Sequence, residues 1–340
     1  MIVLTYNTDN STKTDIYCSV DYNIFKNIVN DRNYVIITDE KVYNLYSENL
    51  VKSNCIIIKE GEEHKNLSNI EYVIRQFIAK DLDRNSIIIG FGGGLVCDIA
   101  GFAASIYMRG TPVGFVATTL LAQIDAAVGG KNGVNFGSYK NYIGNITQPQ
   151  FIINDALFLK TLSDKDYLSG IGEVLKYCLI SNSNLIEYFT SNFNSVTMRD
   201  KDVMDFLVKE CIKIKTEIVS RDTNDKGLRH ILNFGHSFGH CFEIVDGLAH
   251  GIAVTKGMCT AIDLSVKFGY ADARLRDRVY ELIKSAGFET EYKLDTRHFD
   301  LLQKDKKKSG NYIDFVFLSE IGNPIIGKTA IGDIIKAVVE

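Results

Sequence analysis

Proline is scarce in this chain, at 3 of 340 residues, and no cysteine has a close partner: Cys18, Cys55, Cys97, Cys178, Cys211, Cys241 and Cys259 stand singly, without a CxxC pair. An odd, scattered set excludes a disulfide framework and a zinc finger, and points to reduced thiols in a cytoplasmic protein. A dominant positive charge is missing as well. The formal net charge is −4, so no global field gathers nucleic acid or an anionic membrane, and an anionic ligand must be met by local lysines. The longest apolar stretch, "SIIIGFGGGLVCDIAGFAASIYM", is broken by glycines and Asp98, too often for a membrane span. The N-terminal "MIVLTYNTDNSTKTDIYC" lacks a basic segment followed by an apolar one, so no secretory signal is expected.

Core material is plentiful. Apolar residues make up 46% and charged residues 24%, the profile of a compact soluble protein whose length predicts two domains. "NYVIITD" (33–39), "NCIIIKE" (54–60) and "NSIIIGFGGG" (85–94) are β-branched runs that read as buried strands. Between the last two, Leu67, Ile70, Ile74, Phe77 and Ile78 recur on one helical face, giving a parallel βαβ unit. "TPVGFVATT" (111–119) and "PQFIIND" (149–155) extend the sheet. Helical periods then take over: "SDKD" (163–166) reads as a capping box, and Val203, Phe206, Leu207, Cys211, Ile214 and Ile218 form one stripe. The expected fold is α/β: a doubly wound, mostly parallel sheet over residues 1–162, then an all-helical domain over residues 163–340.

Gly90, Gly92, Gly93 and Gly94 lie where the third strand hands over to a helix starting near Val96. Successive backbone N–H groups there suit a pyrophosphate. Leu95, however, stands where GxGxxG places its third glycine, and a tight turn without ligand would use the same residues. "TTLLAQIDAAVGGKNGVN" (118–135) sets Asp125, Lys131 and Asn135 in an apolar run. Such groups need partners: either Asp125 and Lys131 pair with one another, or they face a polar ligand. Arg109 and "YKN" (139–141) add further groups able to hold an anion, which favours the ligand.

Four of the six histidines fall between residues 230 and 250. In "NFGHSFGHCFE" (233–243), His236 and His240 are four apart and share a helix face, and His250 follows. A lone buried histidine is more often a core residue, but this grouping in glycine-rich surroundings suits a metal. The leading candidate for a further ligand is Glu173 in "GIGEVLKYC", on an otherwise apolar helix with Lys176 three residues later; an exposed ion pair is the bland alternative. Imidazole and carboxylate together favour zinc.

Taken in order, "GFGGGLVCDIAGF", "YMRG", "TTLLAQIDAAVGGKNGVN", "YKNYIG", "SGIGEVLKY", "LRHILNFGHSFGH", "HG" (250–251) and "DKK" (305–307) resemble the 3-dehydroquinate synthase family. The resemblance implies an NAD-binding α/β domain (1–162) and a helical metal- and substrate-binding domain (163–340), with the active site in the cleft between them. It implies that Glu173, His236 and His250 hold Zn2+, with Co2+ as an alternative, while His240 faces substrate and moves protons. Spacing alone would have made His240 a ligand. It further implies catalytic work by Lys131, Asn141, Lys176 and Asp225, and substrate contacts from Arg109, Asp125, Lys215, Arg229, Asn233 and Lys306 or Lys307. For NAD it points to Gly92, Gly93, Gly94 and Asp98 near the pyrophosphate, Asp39, Glu62 and Lys65 near the adenosine, and Thr118, Thr119, Lys140 and Thr161 elsewhere. Arg229 corresponds to an arginine that reaches a neighbouring subunit's site, so a homodimer is expected.

The implied reaction turns 3-deoxy-D-arabino-heptulosonate 7-phosphate into 3-dehydroquinate and phosphate. NAD+ oxidises the C5 alcohol, phosphate leaves by β-elimination, NADH restores the alcohol, and the opened ring closes by an aldol step. Three departures from the family pattern stand out. Asp225 replaces a glutamate near the catalytic histidine, with one methylene less reach; "TLS" (161–163) replaces "TLP"; and Ile252 replaces a glutamate after "HG", removing an acceptor expected around the metal with no compensating residue evident. Three rivals are weaker. A polyol dehydrogenase would release NADH and has no use for the cationic set Lys131, Lys176 and Lys215. A different sugar-phosphate cyclase, such as 2-deoxy-scyllo-inosose synthase, does not need Lys215, Asn233 and His240 together, which suit a carboxylated substrate. Only Asp225 and Ile252 suggest a non-catalytic descendant.

Overall fold

The β-branched runs of the first half form strands: β1 (Ile2–Asn7), β2 (Lys13–Cys18), β3 (Tyr34–Asp39), β4 (Cys55–Ile58), β5 (Ile87–Gly92), β6 (Val113–Ala117), the hairpin β7 (Lys131–Phe136) and β8 (Tyr139–Ile146), and β9 (Phe151–Asn154). The computed structural model describes residues 2–8, 12–137, 139–181, 184–303 and 308–339. Within them, seven strands make one sheet in the order β1-β2-β9-β6-β5-β3-β4. β1 is antiparallel to β2, and the other neighbours in this sheet are parallel. Every residue of β5 and β6 is buried, as a parallel strand covered on both faces requires. The helices of this half are α1 (Phe25–Val29), α2 (Glu40–Tyr46), α3 (Leu67–Ala79) and α4 (Gly94–Ile106).

The stretch β4-β3-β5-β6-β9 is doubly wound, and its direction of winding reverses between β3 and β5. Open α/β sheets bind ligands beyond the carboxyl ends of the strands at such a reversal. Here β3 ends at Asp39 and β5 at Gly92. The buried face of α3 is Ile70, Val73 and Phe77, whereas Leu67 and Ile78 of the expected stripe are 40% and 62% exposed. The i, i+3, i+7 positions face the sheet, and the stripe drawn from sequence was rotated away from it.

The second half carries α5 (Asp164–Ile180), α6 (Leu185–Ser191), α7 (Phe193–Thr197), α8 (Lys201–Arg221), α9 (His236–Val245), α10 (His250–Lys267), α11 (Ala273–Ser285), α12 (Thr296–Leu302) and α13 (Ile331–Val339). Ser163 caps α5, accepting from the Asp166 N–H at 3.1 Å, but the Asp166 carboxylate takes the Ser163 hydroxyl rather than completing a capping box. The all-helical expectation is corrected by a three-stranded antiparallel sheet, β10 (Lys308–Ser309), β11 (Tyr312–Glu320) and β12 (Asn323–Ala330). Phe315, Val316, Phe317 and Leu318 are buried in β11, and Gly322, at φ 85°, turns the chain into β12.

The chain divides into two compact units, Met1–Leu162 with Met204–Asn224, and Ser163–Val203 with Asp225–Glu340. A single boundary at residue 162 therefore omits most of α8, which returns to the first unit. On α8 the buried residues include Met204, Leu207, Val208, Cys211, Lys215 and Ile218, while Val203, Phe206 and Ile214 of the expected stripe are only partly buried. Among the described residues no helix is long and apolar enough to cross a membrane.

Candidate active site

In the second unit α5, α9 and α10 approach until only glycine fits between them. A Cβ added to Gly251 would lie 1.7 Å from the Ser169 carbonyl oxygen, and one on Gly172 would lie 2.4 Å from the Gly251 carbonyl oxygen. Gly257 repeats the device against Gly235, whose carbonyl oxygen would lie 1.9 Å from an added Cβ. The N-cap residue of α10, Ala249, offers no side-chain acceptor, and the Ser169 hydroxyl of α5 instead accepts from the Gly251 N–H at 2.9 Å. Thus α5 caps α10, which places His250, the first residue of α10, beside Glu173, one helical turn beyond Ser169.

The outcome is a buried three-residue cluster. One donor atom each from Glu173, His236 and His250 lie within 4.8 Å of one another. Glu173 Oε1 is 3.4 Å from His236 Nε2 and 3.3 Å from His250 Nε2. Lys176 forms an ion pair with Glu173, and both side chains are within 1% of complete burial, so the bland reading of an exposed pair is overturned. Burial drives the His236 pKa well below its ordinary value, against the attraction of Glu173. Burial opposes protonation of His250 too, but hydrogen bonds to Glu173 and Glu243 outweigh it and raise the pKa to about 10. One carboxylate and two imidazoles are the three-ligand set of a catalytic zinc site, and the donor set fits the metal.

His240 lies one turn along α9 and is exposed, its ring centroid 5.6 Å from that of His236 and 6.3 Å from that of His250. With Glu243 and His250 it forms another group whose donor atoms lie within 4.8 Å. The remaining candidates of this unit are Asp225, at φ 57°, whose carbonyl lies 3.1 Å from His230 Nε2, and Arg229 and Asn233 in the 228–233 turn. Arg229 is 2% exposed within its own chain, so its side chain does not reach outward and the dimer expectation gains nothing from it. Lys306 and Lys307 lie outside the described residues.

In the first unit the carboxyl edge of the sheet gathers the residues expected at NAD. Asp39 caps α2, accepting from the Val42 N–H at 2.8 Å, and burial raises its pKa. Gly92 ends β5, Gly93 is the N-cap of α4, and Gly94 opens that helix without a capping side chain, so its first N–H groups remain for a ligand. A Cβ on Gly94 would lie 3.1 Å from Ala126. The hydroxyls of Thr38 and Thr118, at the ends of β3 and β6, are buried without a hydrogen-bond partner, as expected where a polar ligand completes the edge. Thr119 accepts from the Ala122 N–H at 3.1 Å, and Thr161 shares a 2.7 Å bond with the Tyr46 hydroxyl.

Beside that edge runs one hydrogen-bonded chain. Glu62 accepts from Asn135 Nδ2 at 2.9 Å, Asn135 Oδ1 accepts from the Asn141 N–H at 2.8 Å, Asn141 Oδ1 accepts from Lys65 at 2.5 Å, and Lys65 pairs with Asp98. Burial raises the Asp98 pKa to about 6 against the pull of Lys65. Asn141 holds φ 49°, a strained conformation that functional positions tolerate. Met108 and Arg109, at φ 49° and 67°, are strained likewise, and Arg109 is exposed. Lys140 is partly buried in β8 and Lys131 is exposed at the start of β7. Asp125 pairs with Lys215 at 2.5 Å, and its own carbonyl accepts from the same ammonium at 2.6 Å. Lys215 is buried.

Three residues escaped the site set drawn from sequence. Asn135 stood out as a polar residue in an apolar run; Ser169, four before Glu173, and Glu243, seven after His236, share helix faces with those ligands, a signal spacing could have used.

Comparison with known proteins adds the following. The family model for the 3-dehydroquinate synthase N-terminal part matches residues 55–169 and that for the C-terminal part matches residues 170–308. The 3-dehydroquinate synthase of Clostridium tetani is 37% identical over 330 residues, covering 93% of this chain and 88% of that protein. Among solved structures, 2-epi-5-epi-valiolone synthase from Streptomyces hygroscopicus subsp. jinggangensis, with NAD+ and Zn2+ bound, is 25% identical with a TM-score of 0.82, over 91% of this chain and 90% of that one. 2-Deoxy-scyllo-inosose synthase complexed with carbaglucose-6-phosphate, NAD+ and Co2+ has a TM-score of 0.89 at 23% identity over 99% of both chains, a likeness of fold.

Proposed function

The chain belongs to the 3-dehydroquinate synthase family, and from that premise we propose how its residues carry out the conversion of 3-deoxy-D-arabino-heptulosonate 7-phosphate into 3-dehydroquinate and phosphate. The observation that carries the reading is the convergence of Glu173, His236 and His250 in a chain whose two halves both match the family. When bound, NAD+ would accept and return the hydride and a divalent zinc or cobalt ion would acidify the alcohol that loses it.

Glu173, His236 and His250 would hold the ion, and Lys176 would balance the buried carboxylate. Gly92, Gly93 and Gly94 with the α4 N-terminus would hold the pyrophosphate, Asp39 and Glu62 the adenosine, and Thr118, Thr119, Lys140 and Thr161 the rest of the dinucleotide. Lys65 and Asp98 would act as a pair, since they are joined. Arg109, Lys131 and Asn141 suit the substrate phosphate through charge-assisted bonds. Once C5 is a ketone the C6 proton is acidic, and the leaving phosphate can take it, so these residues chiefly position that group. Lys215, buried against Asp125, suits the substrate carboxylate, with Arg229, Asn233 and Lys306 or Lys307 assigned to substrate on the family pattern alone. His240, exposed on α9, would move protons, supported by Asp225 in place of the family's glutamate. The NAD domain (residues 1–162, with Met204–Asn224 of the same compact unit) and the metal and substrate domain (the rest of 163–340), the homodimer and the cytoplasmic location are proposed on the same family basis.

The test is turnover by purified, zinc-loaded protein given the heptulosonate phosphate and catalytic NAD+. Phosphate should be released over many turnovers while no NADH accumulates. Absence of phosphate, or NADH rising with each turnover, would overturn the reading.

A further inference from the structure

We propose that Glu243 is the positioning residue that makes His250 an Nε2 metal ligand. The proposal rests on the reading that Glu173, His236 and His250 hold a divalent ion.

An imidazole binds a metal through one nitrogen, and the N–H on the other needs an acceptor that sets the tautomer and the ring plane. The two histidines of this cluster meet that need in the same sense but by different means. His236 turns Nε2 toward Glu173, and its Nδ1 lies 3.2 Å from the Phe234 carbonyl oxygen. His250 also turns Nε2 toward Glu173, and its Nδ1 lies 3.3 Å from Glu243 Oε2. The acceptor for His236 is backbone, already held by the start of α9. The acceptor for His250 is a side chain, so only this ligand can be released by substitution without moving the main chain.

Placement supports the role. Glu243 follows His236 by two helical turns on α9 and therefore reaches the same side, and its side chain is 17% exposed, sheltered enough for a carboxylate–imidazole bond to matter. A carboxylate on Nδ1–H also raises the basicity of Nε2, which strengthens its bond to a metal. The competing assignment is that Glu243 itself ligates an ion together with His240 and His250, whose donor atoms are also within 4.8 Å.

The experiment measures zinc affinity of the metal-stripped full chain by competition with a chromophoric chelator, and bound zinc per chain at saturation. Glu243→Ala should weaken affinity about 10–100-fold with unchanged stoichiometry. Glu243→Gln, which keeps an acceptor oxygen and the side-chain volume, should recover part of that loss and serves where the alanine variant is unstable. In a His250→Ala background, Glu243→Ala should cost nothing further, because the ring it orients is gone. Unchanged affinity in Glu243→Ala overturns the proposal, and so does a full loss that persists in the His250→Ala background, which would make Glu243 a ligand. His236→Ala separates the two levels: if it too leaves zinc affinity unchanged, the metal reading itself has failed.

Discussion

Substituting Gly251 by alanine tests whether the ligands are brought together by backbone contact. An added Cβ would lie 1.7 Å from the Ser169 carbonyl oxygen, while an ordinary carbon–oxygen contact is about 3.3 Å. The start of α10 would have to withdraw from α5 by roughly 1.5 Å, breaking the 2.9 Å bond from the Gly251 N–H to Ser169. His250 moves with α10 and Glu173 stays on α5, so their 3.3 Å separation would widen far beyond the ~0.2 Å tolerance of a metal–ligand distance. Overpacking costs about 1–3 kcal/mol and the lost hydrogen bond about 1 kcal/mol more. Zinc competition titration should show affinity reduced by about 100-fold or more, as for loss of a supporting partner at its upper limit. Urea denaturation of the metal-free protein should show the accompanying stability loss. Gly172→Ala, whose Cβ would meet the Gly251 carbonyl oxygen at 2.4 Å, should lie between this variant and wild type. Gly332→Ala, on α13 with nothing within 4 Å of the added carbon, should be neutral or gain about 0.5–1 kcal/mol. Wild-type zinc affinity and an unchanged urea midpoint for Gly251→Ala would refute the packing argument.

His236→Ala should abolish zinc binding and turnover together, whereas His240→Ala should keep the metal and lose most of the rate; equal metal loss would return His240 to the ligand set, as judged by bound zinc per chain. Asp125→Ala would leave the Lys215 ammonium, 5% exposed, with the Asp125 carbonyl as a remaining partner, so a destabilisation of about 3 kcal/mol is expected. In urea denaturation the Asp125→Leu, Lys215→Met double variant should be less destabilised than Asp125→Ala, because no buried charge is orphaned. Six cysteines are buried and only Cys55 is partly exposed. Burial raises its pKa to about 11, with Lys80 opposing. The thiolate being the nucleophile, Cys55 should alkylate slowly near pH 8 and about tenfold faster per pH unit until about pH 11. All 7 thiols should react in denaturant, and a fast native thiol near neutral pH would contradict this.

Whatever depends on residues close in sequence could be read from sequence. β3, β5 and β6 announce themselves as β-branched runs, and the glycines at 92–94 mark the strand-to-helix turn, because strand propensity and turn chemistry are local properties. His236, His240, His250 and Glu173 could be picked out by residue type in unusual company. Spacing could not decide which of them converge: i,i+4 geometry joins His236 to His240, but Glu173 meets His236 and His250 because glycines let α5, α9 and α10 touch. Likewise Asp125 finds Lys215, 90 positions away. Spacing left Glu173–Lys176 open to the bland reading of a surface bridge, and the pair is buried, since i,i+3 spacing is identical on either face of a helix. The return of α8 to the first unit belongs to the same class, whereas the hairpin of β11 and β12, closed over Ile321 and Gly322, is a local feature that the helical reading of this half passed over. Charges and ligands choose partners by distance in space, and that distance is set by which helices and strands pack together, so only the tertiary structure could assign them.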